Sequence, residues 1–162
     1  MKKCIKLFFI CFSTFNAFSQ SIAKQLDFII VIDEKIATNS IYSFEIKATT
    51  YLGNRDIESN YFPGNISMSQ DDFNFLLSDS VNKFYFLFTY YEYINKKQIA
   101  YTYEIEIKKP WLKDNFNIIY IYNLNKEKYK KKYNPISKGK NYNYELDSPS
   151  NTYKLLKNYS GK

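Results

Sequence analysis

Hydrophobic residues along this chain recur with a period of two far more often than with a helical period, and the elements they predict are strands. Phe28–Ile32 is a continuous apolar run between Asp27 and the pair Asp33-Glu34, the pattern of a strand buried on both faces. Tyr42, Phe44, Ile46 and Ala48 alternate with Ser43, Glu45 and Lys47, which predicts a strand with one face inward. Residues 52–72 hold Gly53-Asn54, Pro63-Gly64-Asn65 and Asp71-Asp72, all turn chemistry, so this stretch reads as loop with at most a short edge segment. Residues 73–77 read as a further apolar strand. In residues 83–93, Phe84, Phe86, Phe88 and Tyr90 share one face while Tyr85, Leu87, Tyr91 and Tyr93 share the other, as in a central strand. After a turn at Asn95-Lys96-Lys97, Ile99, Tyr101, Tyr103, Ile105 and Ile107 alternate with more polar residues, so the two runs form a long hairpin. Pro110 ends that ladder. Further strands are predicted at residues 116–123, 142–146 and 153–156. About seven or eight strands, with no helical run and no internal repeat, predict an all-β domain built as an antiparallel β-sandwich, an immunoglobulin-like or fibronectin-like Greek key.

The N-terminus departs from this pattern. Lys2, Lys3 and Lys6 precede the apolar run 7–12, which is short of the ~20 residues that span a bilayer as a helix. Ala17 and Ser19 place small residues at the −3 and −1 positions of a signal-peptidase site. Residues 1–19 are therefore expected to be a signal peptide and 20–162 a single exported domain. Cys11 is a poor lipidation site, because Phe8-Phe9-Ile10 precedes it with no small residue next to the thiol. Cleavage after Ser19 removes Cys4 and Cys11, so the mature chain is expected to fold without disulfides. Beyond the leader no apolar stretch exceeds Phe28–Ile32, so no transmembrane helix is expected.

The chain is 20% aromatic, with 17 Tyr and 14 Phe against 4 Gly and 4 Pro, a composition that favours large buried areas and pleated strands over disorder. The formal charge of +7 is concentrated rather than spread. Part of it leaves with the leader. Most of the remainder lies in a lysine-rich loop at 126–140, where Lys126, Lys128, Lys130, Lys131, Lys132, Lys138 and Lys140 face a single acid, Glu127. Such a run reads first as a solvated loop and second as a contact for a polyanionic surface, anionic lipid or acidic polysaccharide. Nucleic acid, gripped through phosphates and stacked on Tyr129 and Tyr133, comes third, since export argues against it.

From Ile136 to Leu146 an apolar residue, the turn residue Gly139 and then Tyr142, Tyr144 and Leu146 in alternation resemble the corner before a late strand in fibronectin type III and other immunoglobulin-like domains. The resemblance covers about eleven residues and implies architecture alone.

The chain has no His, and none of its Cys survives cleavage, which excludes Ser-His-Asp triads, Cys-His dyads and the usual zinc and copper sites. No cofactor is expected. Ser137 and Lys138 are neighbours in a solvated basic segment, a poor setting for serine-lysine catalysis. Glu104 and Glu106 share a strand face and are the candidates for carboxylate-dependent glycan hydrolysis, although their alternation with a buried set marks them as solvent-side residues. Asp56, Glu58, Asp71 and Asp72 form a turn-rich acidic group whose spacing matches no EF-hand. Trp111, Tyr129 and Tyr133 are candidates for stacking on a sugar, with a core position the first reading for Trp111. Asp79-Ser80-Val81 and Asn65-Ile66-Ser67 have the form of short glycosylation acceptors. The functional expectation is an exported, non-enzymatic binding or structural module of the bacterial periplasm or cell surface, contacting a protein or glycan. The alternatives are a small outer-membrane β-barrel and a carboxylate-dependent secreted glycan hydrolase.

Overall fold

The computed structural model describes residues 23–38 and 40–150 and the backbone of 152–153. The leader and most of the strand expected at 153–156 lie outside the described residues. Strand β1 (Ala23–Leu26) passes through Asp27 into β2 (Phe28–Ile32), and β3 (Lys35–Ile36) turns back on β2. Two hairpins follow, β4 (Ile41–Thr50) with β5 (Gly53–Glu58) and β6 (Asn60–Phe62) with β7 (Asn65–Ser69). Helix α1 (Gln70–Leu77) precedes the long hairpin of β8 (Val81–Ile94) and β9 (Lys97–Ile107). A 3-10 turn at Lys109–Lys113 leads to β10 (Asn117–Asn123), the helical turn α2 (Glu127–Lys130), β11 (Tyr142–Asp147) and β12 (Thr152–Tyr153).

The strands form three open sheets, ordered β1-β7-β6, β12-β11-β10-β2-β3 and β5-β4-β8-β9. Among the described residues none closes on itself, so these strands do not form the closed barrel weighed as an alternative. Pairing is antiparallel throughout the described residues except between β2 and β10, which run parallel from Asn117 opposite Phe28 to Ile121 opposite Ile32. That pair corrects the expectation of wholly antiparallel sheets. A parallel neighbour needs a long crossover, and here everything from β3 to β9 lies between the two strands.

The two larger sheets feed one core. Phe28, Ile30 and Ile32 of β2, Ile119 and Ile121 of β10 and Leu146 of β11 enter it from one sheet, and Ile46 of β4, Phe84, Phe86 and Phe88 of β8 and Ile105 of β9 from the other. Rings meet edge-on between the sheets, Phe28 with Phe86 at 5.1 Å and Tyr103 with Tyr142 at 5.0 Å. Each such side chain contributes about 1.5–3 kcal/mol by leaving water.

Residues 52–77 differ most from the sequence reading. The turn groups at Gly53 and Gly64 are corners between short strands, not parts of one loop, and Gly64 sits at φ 87°, a left-handed conformation that favours glycine. Residues 73–77 are helical, not extended. The Ser69 side chain accepts a hydrogen bond from the Asp72 amide at 3.1 Å and donates one to the Asp72 carboxylate at 2.7 Å, capping α1, while Asp71 and Asp72 lie at its positive end. The β8–β9 hairpin matches its expectation, with Asn95 at φ 49° and Lys96 at φ 64° in the two-residue turn that suits twisted strands.

Candidate functional site: the corner between strands β10 and β11

The lysine-rich segment is an ordered connection rather than a free loop. The Leu124 amide donates to the Asn141 carbonyl at 2.9 Å, the Ile136 amide to the Tyr142 carbonyl at 3.0 Å, and the buried Asn143 side-chain amide to the Asn134 carbonyl at 2.6 Å. Tyr129 of α2 is inserted beneath the segment at 2% exposure, and its ring packs against Tyr122 at 5.3 Å. Tyr133 lies 4.7 Å from Tyr122, whose hydroxyl donates to the Glu145 carboxylate. Burial first, and then that carboxylate, holds the Tyr122 phenol above its ordinary value.

Acids from distant parts of the chain neutralise much of the lysine run. Lys126 Nζ lies 2.8 Å from both Asp33 and Glu92. Burial alone would lower its pKa, but the hydrogen bonds and attraction of those two carboxylates outweigh burial and hold the ammonium well above the lysine range. Asp33, in the β2–β3 turn with only 7% of its side chain exposed, also accepts from the Asn123 amide at 2.9 Å, so this triad pins the start of the connection to β2 and β8. Lys128 pairs with Glu34 at 3.0 Å and lies over the Tyr129 ring at 4.5 Å. Lys140 pairs with Glu104 at 2.6 Å, and Lys130 approaches Glu127 at 3.9 Å. Lys131, Lys132 and Lys138 are exposed and make no ion pair among the described residues.

Three clefts converge on this connection. One is lined by Tyr120, Tyr122, Tyr133, Lys132 and Glu34, and a second by Leu124, Lys130, Tyr133, Asn134 and Pro135. The third, of about 320 Å³, separates Ala100–Tyr103 of β9 from Asn123, Asn125 and the 139–142 stretch. Of the residues named for sugar stacking, Trp111 is enclosed in the core at 3% exposure and Tyr129 at 2%, while Tyr133 keeps part of its ring at the surface. Tyr120 and Tyr122, which share the Tyr133 cleft, were absent from the sequence reading, because alternation in a strand does not say which partner covers it.

The other candidate chemistries are dispersed. Glu104 is held by Lys140 and Glu106 by Lys108, so each carboxylate of that strand face has its own cation. Asp72 is engaged by Arg55 and Ser69, and no cluster of carboxylates suited to a metal ion occurs among the described residues. Ser80 is exposed with its hydroxyl 2.6 Å from that of Ser78, and Asn65 opens β7 half-exposed. No helix among the described residues is long and apolar enough to cross a membrane. Compared with protein-family models, with curated proteins and with solved structures, the chain gives no significant match to any.

Proposed function

We infer that the protein is an exported, non-enzymatic binding module of the bacterial periplasm or cell surface, and that the β10–β11 corner is its contact surface. The observation that carries this reading is the contrast within one connection. Lys126 and Lys140 anchor it from below through buried or half-buried carboxylates, whereas Lys131, Lys132 and Lys138 are exposed and make no ion pair among the described residues. A rigid display of unpaired ammonium groups beside tyrosine-lined clefts suits an anionic polymer, an acidic polysaccharide or a teichoic-type phosphate chain. The architecture is read as a variant of the immunoglobulin-like Greek key. Two sheets on one core support that reading, as does the resemblance of the β11 corner, while the parallel β2–β10 pair and the additional three-stranded sheet are its departures.

The test is retention on immobilised heparin as a generic acidic polysaccharide. The cleaved protein should bind in low salt, and Lys131→Ser, Lys132→Ser and Lys138→Ser combined should weaken binding by about tenfold or more and flatten its salt dependence. Equal retention of parent and triple variant would sink the assignment of the corner. Intact-mass measurement on protein from the cell envelope should give a chain beginning at Gln20.

A further inference from the structure

The geometry points to a docking site for an extended acidic peptide, added as a fifth strand along the free edge of β9; the inference rests on the reading of the protein as a binding module and names the partner class. Among the described residues β9 ends its sheet, pairing with β8 alone. In an antiparallel pair alternate residues turn both backbone groups away from the neighbour. Two observations fix which residues these are. The Glu104 amide donates to the Tyr142 hydroxyl at 2.9 Å, and the same hydroxyl donates to the Glu104 carbonyl at 2.7 Å, so Glu104 faces outward. Across the ladder, Tyr91, register partner of Ala100, sends its amide to the Ser40 carbonyl at 2.9 Å, away from β9. The even-numbered residues of β9 therefore present their amides and carbonyls to the edge.

Along its C-terminal half this edge is closed. Tyr142 covers Glu104, the Tyr144 hydroxyl reaches the Glu106 carbonyl at 3.5 Å, and Lys140 holds the Glu104 side chain. At Gln98, Ala100 and Thr102 nothing among the described residues covers it, and all three are exposed. Open edges of this kind are normally blunted by charge, proline or a covering segment. Here the covering connection stands off instead, leaving the cleft of about 320 Å³ between Ala100–Tyr103 and Asn123, Asn125, Asn141 and Lys140. An added strand would donate to and accept from the edge on one side and meet amide side chains on the other.

Side-chain chemistry selects the occupant. Ile99 is 37% exposed and Tyr101 half-buried on the face of β9 that continues the core row, which suits apolar residues at every second position of the incoming strand. Lys96 and Lys97 at the hairpin tip and Lys138 next to the cleft residue Gly139 have no ion pair among the described residues, while the nearby acids Glu92 and Glu104 are engaged by Lys126 and Lys140. The remaining positions of the guest are accordingly acidic.

The probe is an acetylated, amidated peptide alternating Glu with Val and Thr, added to the isotope-labelled cleaved protein. Amide signals of Gln98, Ala100 and Thr102 should shift and their hydrogen exchange slow on binding. Ala100→Pro removes an outward amide without touching the β8 ladder, so it should keep a dispersed folded spectrum and bind about tenfold or more weakly. Replacing every Glu of the peptide by Lys should weaken binding by at least about fivefold. Absence of protection at those amides, or undiminished binding by folded Ala100→Pro, overturns the edge site. So does a concentration-dependent dimer in sedimentation that Ala100→Pro abolishes, since a second copy would then be the occupant. Heparin retention on the same samples reports the corner independently, so the edge can fail while the binding-module reading stands.

Discussion

Lys126 shows how one side chain can define a corner. Its ammonium joins two carboxylates that have little access to water, and removing it would leave Asp33 and Glu92 facing one another without a cation. Lys126→Met should cost about 3 kcal/mol in urea unfolding, and adding Glu92→Gln should recover part of the loss because one orphaned charge disappears. A Lys126→Met variant as stable as the parent would show that the triad contributes no net stability. The lysine run was fully legible in the sequence, but its effective charge was not. Asp33, Glu34, Glu92 and Glu104 lie tens of residues upstream, and only the fold brings them to Lys126, Lys128 and Lys140. A local count of charges therefore overstated the basic patch and gave no means of separating the anchoring lysines from the exposed ones.

Among the elements, legibility followed the number of alternating buried residues. β8 and β9 repeat their pattern over eleven or more residues and could be read with their turn, as could β10, whose buried positions Asn117, Ile119, Ile121 and Asn123 alternate without a break. β5 buries only Ile57, β7 only Ile66 and Met68, and β6 has no residue in the buried class, so turn residues dominated their sequence signal. α1 is eight residues long with Leu76 alone fully buried, too short to show a period. Its start signal was nevertheless present in Ser69 and Asp72. Ser69→Ala should cost about 1 kcal/mol, measured by denaturant unfolding, since the first-turn amide would lose its acceptor. Tyr142→Phe is a sharper test at this scale. It should raise hydrogen exchange at the Glu104 amide and lower stability by about 1–2 kcal/mol, because the phenol hydroxyl serves both backbone groups of that edge residue. Unchanged exchange at Glu104 would mean that the C-terminal half of β9 needs no cover.

For the molecule as a whole, the absence of histidine from the sequence and the burial of phenols set the pH range in which the fold persists. Tyr61, Tyr90, Tyr103 and Tyr142 are all held above the ordinary tyrosine value, burial being the largest cause for each. A folded pKa above the unfolded one means that the unfolded chain gives up its proton first, so stability is fully present below the ordinary value of ~10 and falls as pH rises through the folded values. Lys126 acts in the same direction and nearly the same window, since its raised pKa keeps the triad intact until the unfolded lysine has begun to deprotonate. The urea midpoint should therefore stay nearly level from neutrality to about pH 9 and then drop steeply. Part of the phenolate absorbance should be withheld in the folded chain and appear only with the loss of the β circular-dichroism signal, because the enclosed rings ionise only on unfolding. Titration of the full tyrosine complement near pH ~10 with the β signal intact would show that the enclosed phenols reach water in the folded chain, and the closed interior between the two sheets would have to be abandoned.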